Sequence, residues 1–131
     1  MTTASILPVV AVAIDEIKAE FTEAVVTFVP DAQGGARVVV DEIELRSPRF
    51  QRATWIGFYI TFVHPSADIY PHYVRPDLIV NGSAVAPPLH ANHQFLDRPA
   101  MMLSRINRNH DPAADTALLK LHKVVEWLNS Q

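Results

Sequence analysis

The stretch ATWIGFYITFV, residues Ala53 to Val63, decides the fold of this chain. It is rich in aromatic and β-branched residues and is apolar on both faces, which is typical of a strand in the middle of a sheet. In the preceding segment, residues Asp41 to Leu45 carry acidic side chains at 41, 42 and 44 and apolar ones at 43 and 45, and this alternation from Glu42 onward is expected for a strand with one wet face. We therefore expect a sheet that extends in both directions from the stretch 53–63.

The neighbouring segments supply the other strands. Ala24–Val29 and Arg37–Leu45 flank the turn-forming sequence PDAQGG and predict a hairpin. Asp77–Val80 is short enough for a fourth strand. The segment HPSADIYPHYVRP lies between the stretch 53–63 and Asp77–Val80. It contains three prolines, which argue against a regular strand. Ser83–Asn109 shows no period, which indicates either a long irregular segment of functional importance or secondary structure that the pattern does not reveal.

Two helices are expected at the ends of the chain. Val9–Phe21 repeats apolar residues at helical spacing, and Pro8 suits a helix start. Asp111 can cap a second helix that runs to Leu128 with one apolar face. The order predicts one α+β domain over residues 1–131, with helices flanking an antiparallel meander of three to four strands.

Composition narrows the class of protein. The chain has 131 residues, 49% of them hydrophobic, with a net charge of -3 and no cysteine. This balance favours a packed globule and offers no basic field to a nucleic acid. The first apolar run is broken by Pro8, so we expect no membrane span. Without cysteine there is no disulfide and no thiolate metal site, and we expect a cytoplasmic protein without a cofactor.

Several local features occur in an order that resembles the ubiquitin-conjugating (UBC) family. Tyr70-Pro71 follows the central strand, and His90-Ala91-Asn92 stands where that family has His-Pro-Asn. Eight residues beyond Asn92 lies Ala100, where the family has its catalytic cysteine. The resemblance spans about Val9 to Leu128. The chain is similar to divergent bacterial members of the family, which occur beside ubiquitin-like modifiers and activating enzymes, often in anti-phage systems. The resemblance implies a UBC-like fold and a carrier that accepts a modifier as a thioester and transfers it to an amine.

The resemblance also implies roles for individual residues. Asn92 would stand near the developing oxyanion, His90 would brace the loop, and Asp97 would orient or deprotonate the amine. Ala100 would occupy the nucleophile position, exposed in a shallow groove near Asn92 and presented by a turn at Asp97-Arg98-Pro99, although a methyl group cannot form a thioester. The implied contacts with the modifier or substrate are Arg98, Ser104, Arg105 and His110. Those with the activating enzyme are Asp15, Glu16, Lys18 and Glu20.

Alternatives stay open at this stage. Ala100 is interpreted as a Cys-to-Ala substitution in a carrier, as the natural residue of a non-catalytic variant that binds a ubiquitin-like protein, or as an ordinary small residue in a turn. A rival hypothesis places a metal ion on His90, His93 and His110. The Glu that follows such a His pair in zincins is missing, and we assign no metal ligand.

Overall fold

The computed structural model describes residues 6–80, 82 and 84–131, and these residues form an α+β fold. Helix α1 (Pro8–Glu20) comes first and helix α2 (Ala117–Asn129) comes last. Between them lie six strands: β1 (Val25–Pro30), β2 (Ala36–Glu44), β3 (Ala53–Ile60), β4 (His72–Val74), β5 (Leu89–Phe95) and β6 (Arg98–Leu103). They form a single sheet in the order β1-β2-β3-β4-β6-β5, and every neighbouring pair is antiparallel.

The stretch that begins at Ala53 is an interior strand, as its composition predicts. β3 pairs with β2 on one side and with β4 on the other. Because side chains alternate along a strand, Ile56, Phe58 and Ile60 share one face, and all three are fully buried. Trp55 and Tyr59 share the opposite face and are only partly buried. The two apolar faces of β3 therefore lie in different environments, one fully buried and the other partly exposed.

Both helices contribute to the core on the face that holds Phe58. Their buried side chains join those of Val38, Val40 and Met101 in one continuous cluster. We call this side the helix-covered face and the other side the open face. The predicted apolar stripe of α1 is confirmed, and Pro8 occupies its first turn. The stripe consists of Val10, Ala13, Ile14 and Ile17, and the matching residues of α2 are Ala117, Leu121, Val124 and Leu128.

The start of the second helix was predicted wrongly. Asp111 does accept a hydrogen bond from the Ala113 backbone N–H (3.0 Å), but it forms a turn rather than a helix. α2 begins at Ala117, where the hydroxyl of Thr116 accepts a hydrogen bond from the Leu119 N–H (3.1 Å). Asp and Thr both cap helices well, so capping preference alone does not decide where α2 begins. The start of the helix depends on which turn can pack against the sheet.

The fourth strand lies elsewhere than predicted. Asp77–Val80 is not a strand and contributes only an isolated bridge from Ile79 to Phe50. The strand is β4, inside the proline-rich segment that seemed unsuited to one. Pro71 comes immediately before its first residue, where the missing backbone donor breaks no pair in the ladder. A strand of three residues fits between two prolines without conflict.

The segment Ser83–Asn109 is not irregular throughout, although Ser83 itself lies outside the described residues. Most of it is the β5–β6 hairpin, so the sheet has six strands instead of three or four. Leu96 and Asp97 form its tight turn with φ of 49° and 64°, the left-handed values that a two-residue hairpin loop favours. A bulge at Asn92, φ 67°, shifts the register of β5 and hides its period.

Candidate functional site

Ala100 is not exposed, which corrects the prediction of an accessible nucleophile position. It lies in β6 opposite His93, and only 1% of its surface is accessible. Its neighbours are Val39 and Phe95 in a small hydrophobic cluster on the open face, flanked by Trp55 and Tyr73. The expected turn over residues 97–99 is also absent, because Pro99 already belongs to β6. A side chain at position 100 is therefore covered by aromatic rings.

The other residues assigned to catalysis do not converge on Ala100. Asn92 and Asp97 are exposed, and both adopt left-handed backbone conformations at the bulge and at the hairpin turn. Asn and Asp tolerate this region better than most residues, which accounts for their presence without catalysis. His90 lies opposite Met102 on the edge strand and is half-buried.

The residues assigned to partner contacts fall into three places. Ser104 and Arg105 line a shallow depression together with His90. Arg98 lies apart, with its guanidinium carbon 4.8 Å from the centre of the Trp55 ring. His110 is in a different loop and bonds to the Pro65 carbonyl. Sequence reasoning therefore grouped residues that are close along the chain, but it did not identify residues from separate elements that are close in the structure.

The polar face of α1 is exposed, although two of its residues have partners within the chain. Asp15, Glu16, Lys18 and Glu20 are all exposed. Glu20 pairs with His122 of α2 at 2.9 Å, and Lys18 lies 6.0 Å from the centre of the Phe28 ring. The same helix also exposes Val12, so its outer surface is mixed rather than wholly charged.

An aromatic cluster on the open face was missed by the sequence analysis. The Phe95 ring stacks on Tyr73 with centroids 5.0 Å apart and lies 6.4 Å from the Trp55 ring. Phe95 also lies directly over Gly57, where a Cβ atom would come within 2.6 Å of its ring carbons. Because Gly57 has no side chain, the end of the hairpin can fold back onto β3. The alternation of Trp55, Gly57 and Tyr59 was the signal for this surface.

A groove of about 310 Å³ opens beside this cluster. One wall is formed by Arg37 and Tyr59 on neighbouring strands, with the Arg37 guanidinium carbon 4.3 Å from the centre of the tyrosine ring. The Tyr59 hydroxyl donates a hydrogen bond to Asp31, which lowers the pKa of that carboxyl and raises the pKa of the phenol. The remaining lining residues are Thr61, His64, Ala67, Asp68, Ile69, Tyr70, Pro71, Tyr73, Gln94, Phe95 and Leu96.

Behind the groove lies a buried polar cluster around Asp68. Lys120 of α2 donates hydrogen bonds to the Asp68 carboxylate and to the Arg105 carbonyl, each at 2.8 Å. The Asn107 backbone N–H also donates to Asp68, at 2.6 Å. These bonds tie the loops after β3 and β6 to α2. The hydrogen bonds from Asn107 and to the Arg105 carbonyl offset the cost of removing the Lys120–Asp68 ion pair from water.

Three histidines line or approach this cluster. His72 is fully buried, and desolvation lowers its pKa to about 3, with repulsion from Lys120 as the second cause. Desolvation also lowers the pKa of His64. His110 lies within 3.9 Å of Asp68 and 3.7 Å of Asp115. The region therefore holds two buried histidines, His64 and His72, whose pKa values are lowered by desolvation, beside the compensated Lys120–Asp68 ion pair, which favours a structural role.

Comparison with models of known families, with curated proteins and with solved structures gives no match. These comparisons therefore do not support the resemblance to UBC domains. In the described part of the chain, His90, His93 and His110 do not meet, and no group of three or more potential ligands could hold a metal ion. Among the same residues, no helix is long and apolar enough to cross a lipid bilayer.

Proposed function

We propose that this chain is a non-catalytic protein-binding domain, and that its partner is a ubiquitin-like modifier. The single observation that carries the first part is the burial of Ala100 beneath Phe95 in a chain without cysteine. Acyl transfer to a thiol needs a nucleophile that a carbonyl group can reach. Neither the residue type nor its surroundings meets that need, whereas a binding role requires neither.

The choice of partner rests on the order of motifs that resembles UBC domains. In this proposal the polar face of α1 remains available to an activating enzyme of the same cytoplasmic system. The depression formed by His90, Ser104 and Arg105 is a second surface for contact. Both surfaces are solvated and of mixed polarity, which suits reversible association more than an obligate interface.

The decisive experiment restores a thiol and measures whether it can react. Ala100→Cys is compared with Ala91→Cys, which makes the same substitution at an exposed position of the neighbouring strand. Each variant is incubated with a cognate modifier, its activating enzyme and ATP, and adducts are detected by mass spectrometry. In parallel, a thiol reagent is added to the native and the denatured variants.

We expect no reductant-sensitive modifier adduct on Ala100→Cys. Its native thiol should react at least about tenfold more slowly than that of Ala91→Cys, because reaction requires local opening of the aromatic cluster. Both thiols should react equally after denaturation. Efficient charging of Ala100→Cys would overturn the non-catalytic proposal and support a carrier whose cysteine had been replaced.

Binding is tested with the unmodified chain. Titration of the cognate modifier should give a saturable heat of binding without ATP and without an activating enzyme. Charge reversal at both Asp15 and Glu16 should leave this binding unchanged while weakening binding of the activating enzyme. If the modifier gives no saturable signal up to millimolar concentration, the assignment of the partner is wrong.

A further inference from the structure

We propose that the groove beside the aromatic cluster binds a peptide segment through one of its carboxylate groups, with Arg37 as the recognition residue. This inference does not depend on the identity of the partner proposed above. It rests on the state of Arg37, on the lining of the groove, and on the charge near it.

Arg37 is held in place but keeps its hydrogen-bonding capacity. Its guanidinium stacks on the Tyr59 ring at 4.3 Å, and Tyr59 is itself fixed by its hydrogen bond to Asp31. Within the described residues, the Arg37 guanidinium forms no ion pair and donates no hydrogen bond. A planar guanidinium that is oriented by stacking and still has free donors can bind a carboxylate in bidentate geometry.

The carboxylate of Asp31 does not occupy these donors. It accepts hydrogen bonds from the Tyr59 hydroxyl and from the backbone N–H groups of Gln33 (2.7 Å) and Gly35 (3.0 Å). The acid therefore orients the wall of the groove instead of closing an ion pair with Arg37. It also makes the site a poor match for a polyanion, because its negative charge lies near a single cation.

The rest of the lining fits a peptide better than a small inorganic anion. Tyr70, Pro71, Tyr73 and Phe95 supply apolar and aromatic surface next to the cation. The volume of about 310 Å³ lies at the lower end of the range for ligand sites. A short extended segment that places a carboxylate at Arg37 and apolar side chains along the rings satisfies both parts of the groove.

The test uses three fluorescent four-residue peptides of identical apolar sequence and measures polarisation. One peptide has a free C-terminal carboxylate, one is amidated, and one is amidated but carries an internal aspartate. We expect at least one carboxylate peptide to bind about tenfold more tightly than the neutral amide, with an affinity that falls as salt is raised. The peptide that binds more tightly identifies the chain end or the acidic side chain as the source of the carboxylate.

The variants separate recognition from folding. Arg37→Gln should weaken binding of the carboxylate peptide about tenfold, and Arg37→Lys should restore only part of it, because lysine lacks the bidentate fork. Arg52→Gln removes the same charge from an exposed position outside the groove and should bind as the parent does. Thermal unfolding of each variant checks that the fold is retained.

Three results would overturn the proposal. Equal binding of the amide and carboxylate peptides would remove the role of the carboxylate. An unchanged affinity in Arg37→Gln would remove the role of Arg37. The absence of binding by any peptide at concentrations up to 5 mM would rule out the site. That concentration is about fivefold above a Kd of about 1 mM, which corresponds to a binding free energy of about 4 kcal/mol.

Discussion

The two faces of the sheet are buried in different ways. On the helix-covered face, two helices from opposite ends of the chain close a large aliphatic core around Phe58. On the open face, a smaller cluster is closed by the end of the β5–β6 hairpin, chiefly through Phe95. The first arrangement requires the whole chain, while the second depends on one hairpin and one glycine. The comparison predicts that the first face contributes more to the stability of the fold than the second.

The largest expected difference comes from making the same substitution on each face. Phe58→Ala should lower the free energy of unfolding by about 3–5 kcal/mol, since Phe58 is fully buried in the main core. Phe95→Ala should cost about 1–2 kcal/mol less, because its cluster is smaller and can relax toward solvent. Denaturant unfolding of both variants measures the difference. Equal losses would show that the two faces are equally important for stability.

The second prediction concerns pH and the helix-covered face. The pKa of His72 is lowered from 6.5 to about 3 by burial, so the unfolded chain binds more protons than the folded chain between these values. Stability is therefore full above pH 6.5 and is lost as the pH falls toward 3. From pH 7 to pH 5 the loss from this one group should be about 2 kcal/mol.

His72→Leu provides the comparison for that effect. The charged groups that act on the imidazole are Asp68 and Lys120, and both remain in this variant. Its free energy of unfolding should depend less on pH between 7 and 5 than that of the parent, although His64 still contributes in the same direction. If both proteins lose the same stability over this range, His72 is not the source.

The last prediction concerns Gly57 on the open face. Gly57→Ala places a methyl group within 2.6 Å of the Phe95 ring, so the ring must move. We expect a loss of about 1–3 kcal/mol and a change in the fluorescence of Trp55, which adjoins the same ring. In the double variant with Phe95→Ala the penalty of the added methyl group should largely disappear. Additive losses would show that Phe95 does not depend on Gly57.

Sequence patterns predicted the parts of the fold that are governed by local periodicity. Strands β1 to β3 and helix α1 were placed within a few residues, because alternation and helical spacing reflect which side chains face the core. β4 was missed because its three residues lie between two prolines. The β5–β6 hairpin was missed because the bulge at Asn92 interrupts its alternation and its turn lacks glycine.

The site was less predictable than the fold. The depression joins His90, which was assigned to catalysis, with Ser104 and Arg105, which were assigned to modifier contact, and sequence reasoning did not predict that these residues meet. Sequence reasoning could not show that Phe95 covers Ala100, since that depends on how far the hairpin bends over the sheet. A strand that is apolar on both faces also does not reveal which face the helices will cover. For this reason the alternation of Trp55, Gly57 and Tyr59 was not recognised as an aromatic surface, and Arg37 and Tyr73 gave no signal.

β5 has a single neighbour in the sheet, β6, and β6 in turn pairs with β4 across the intervening residues 75–97. The edge strand therefore cannot join the sheet before β6 does. Closing so long a loop is slow compared with forming the local β2–β3 ladder. The order of assembly during folding follows from this connectivity: the aromatic cluster is completed late, and its contacts mainly set the rate at which the molecule unfolds.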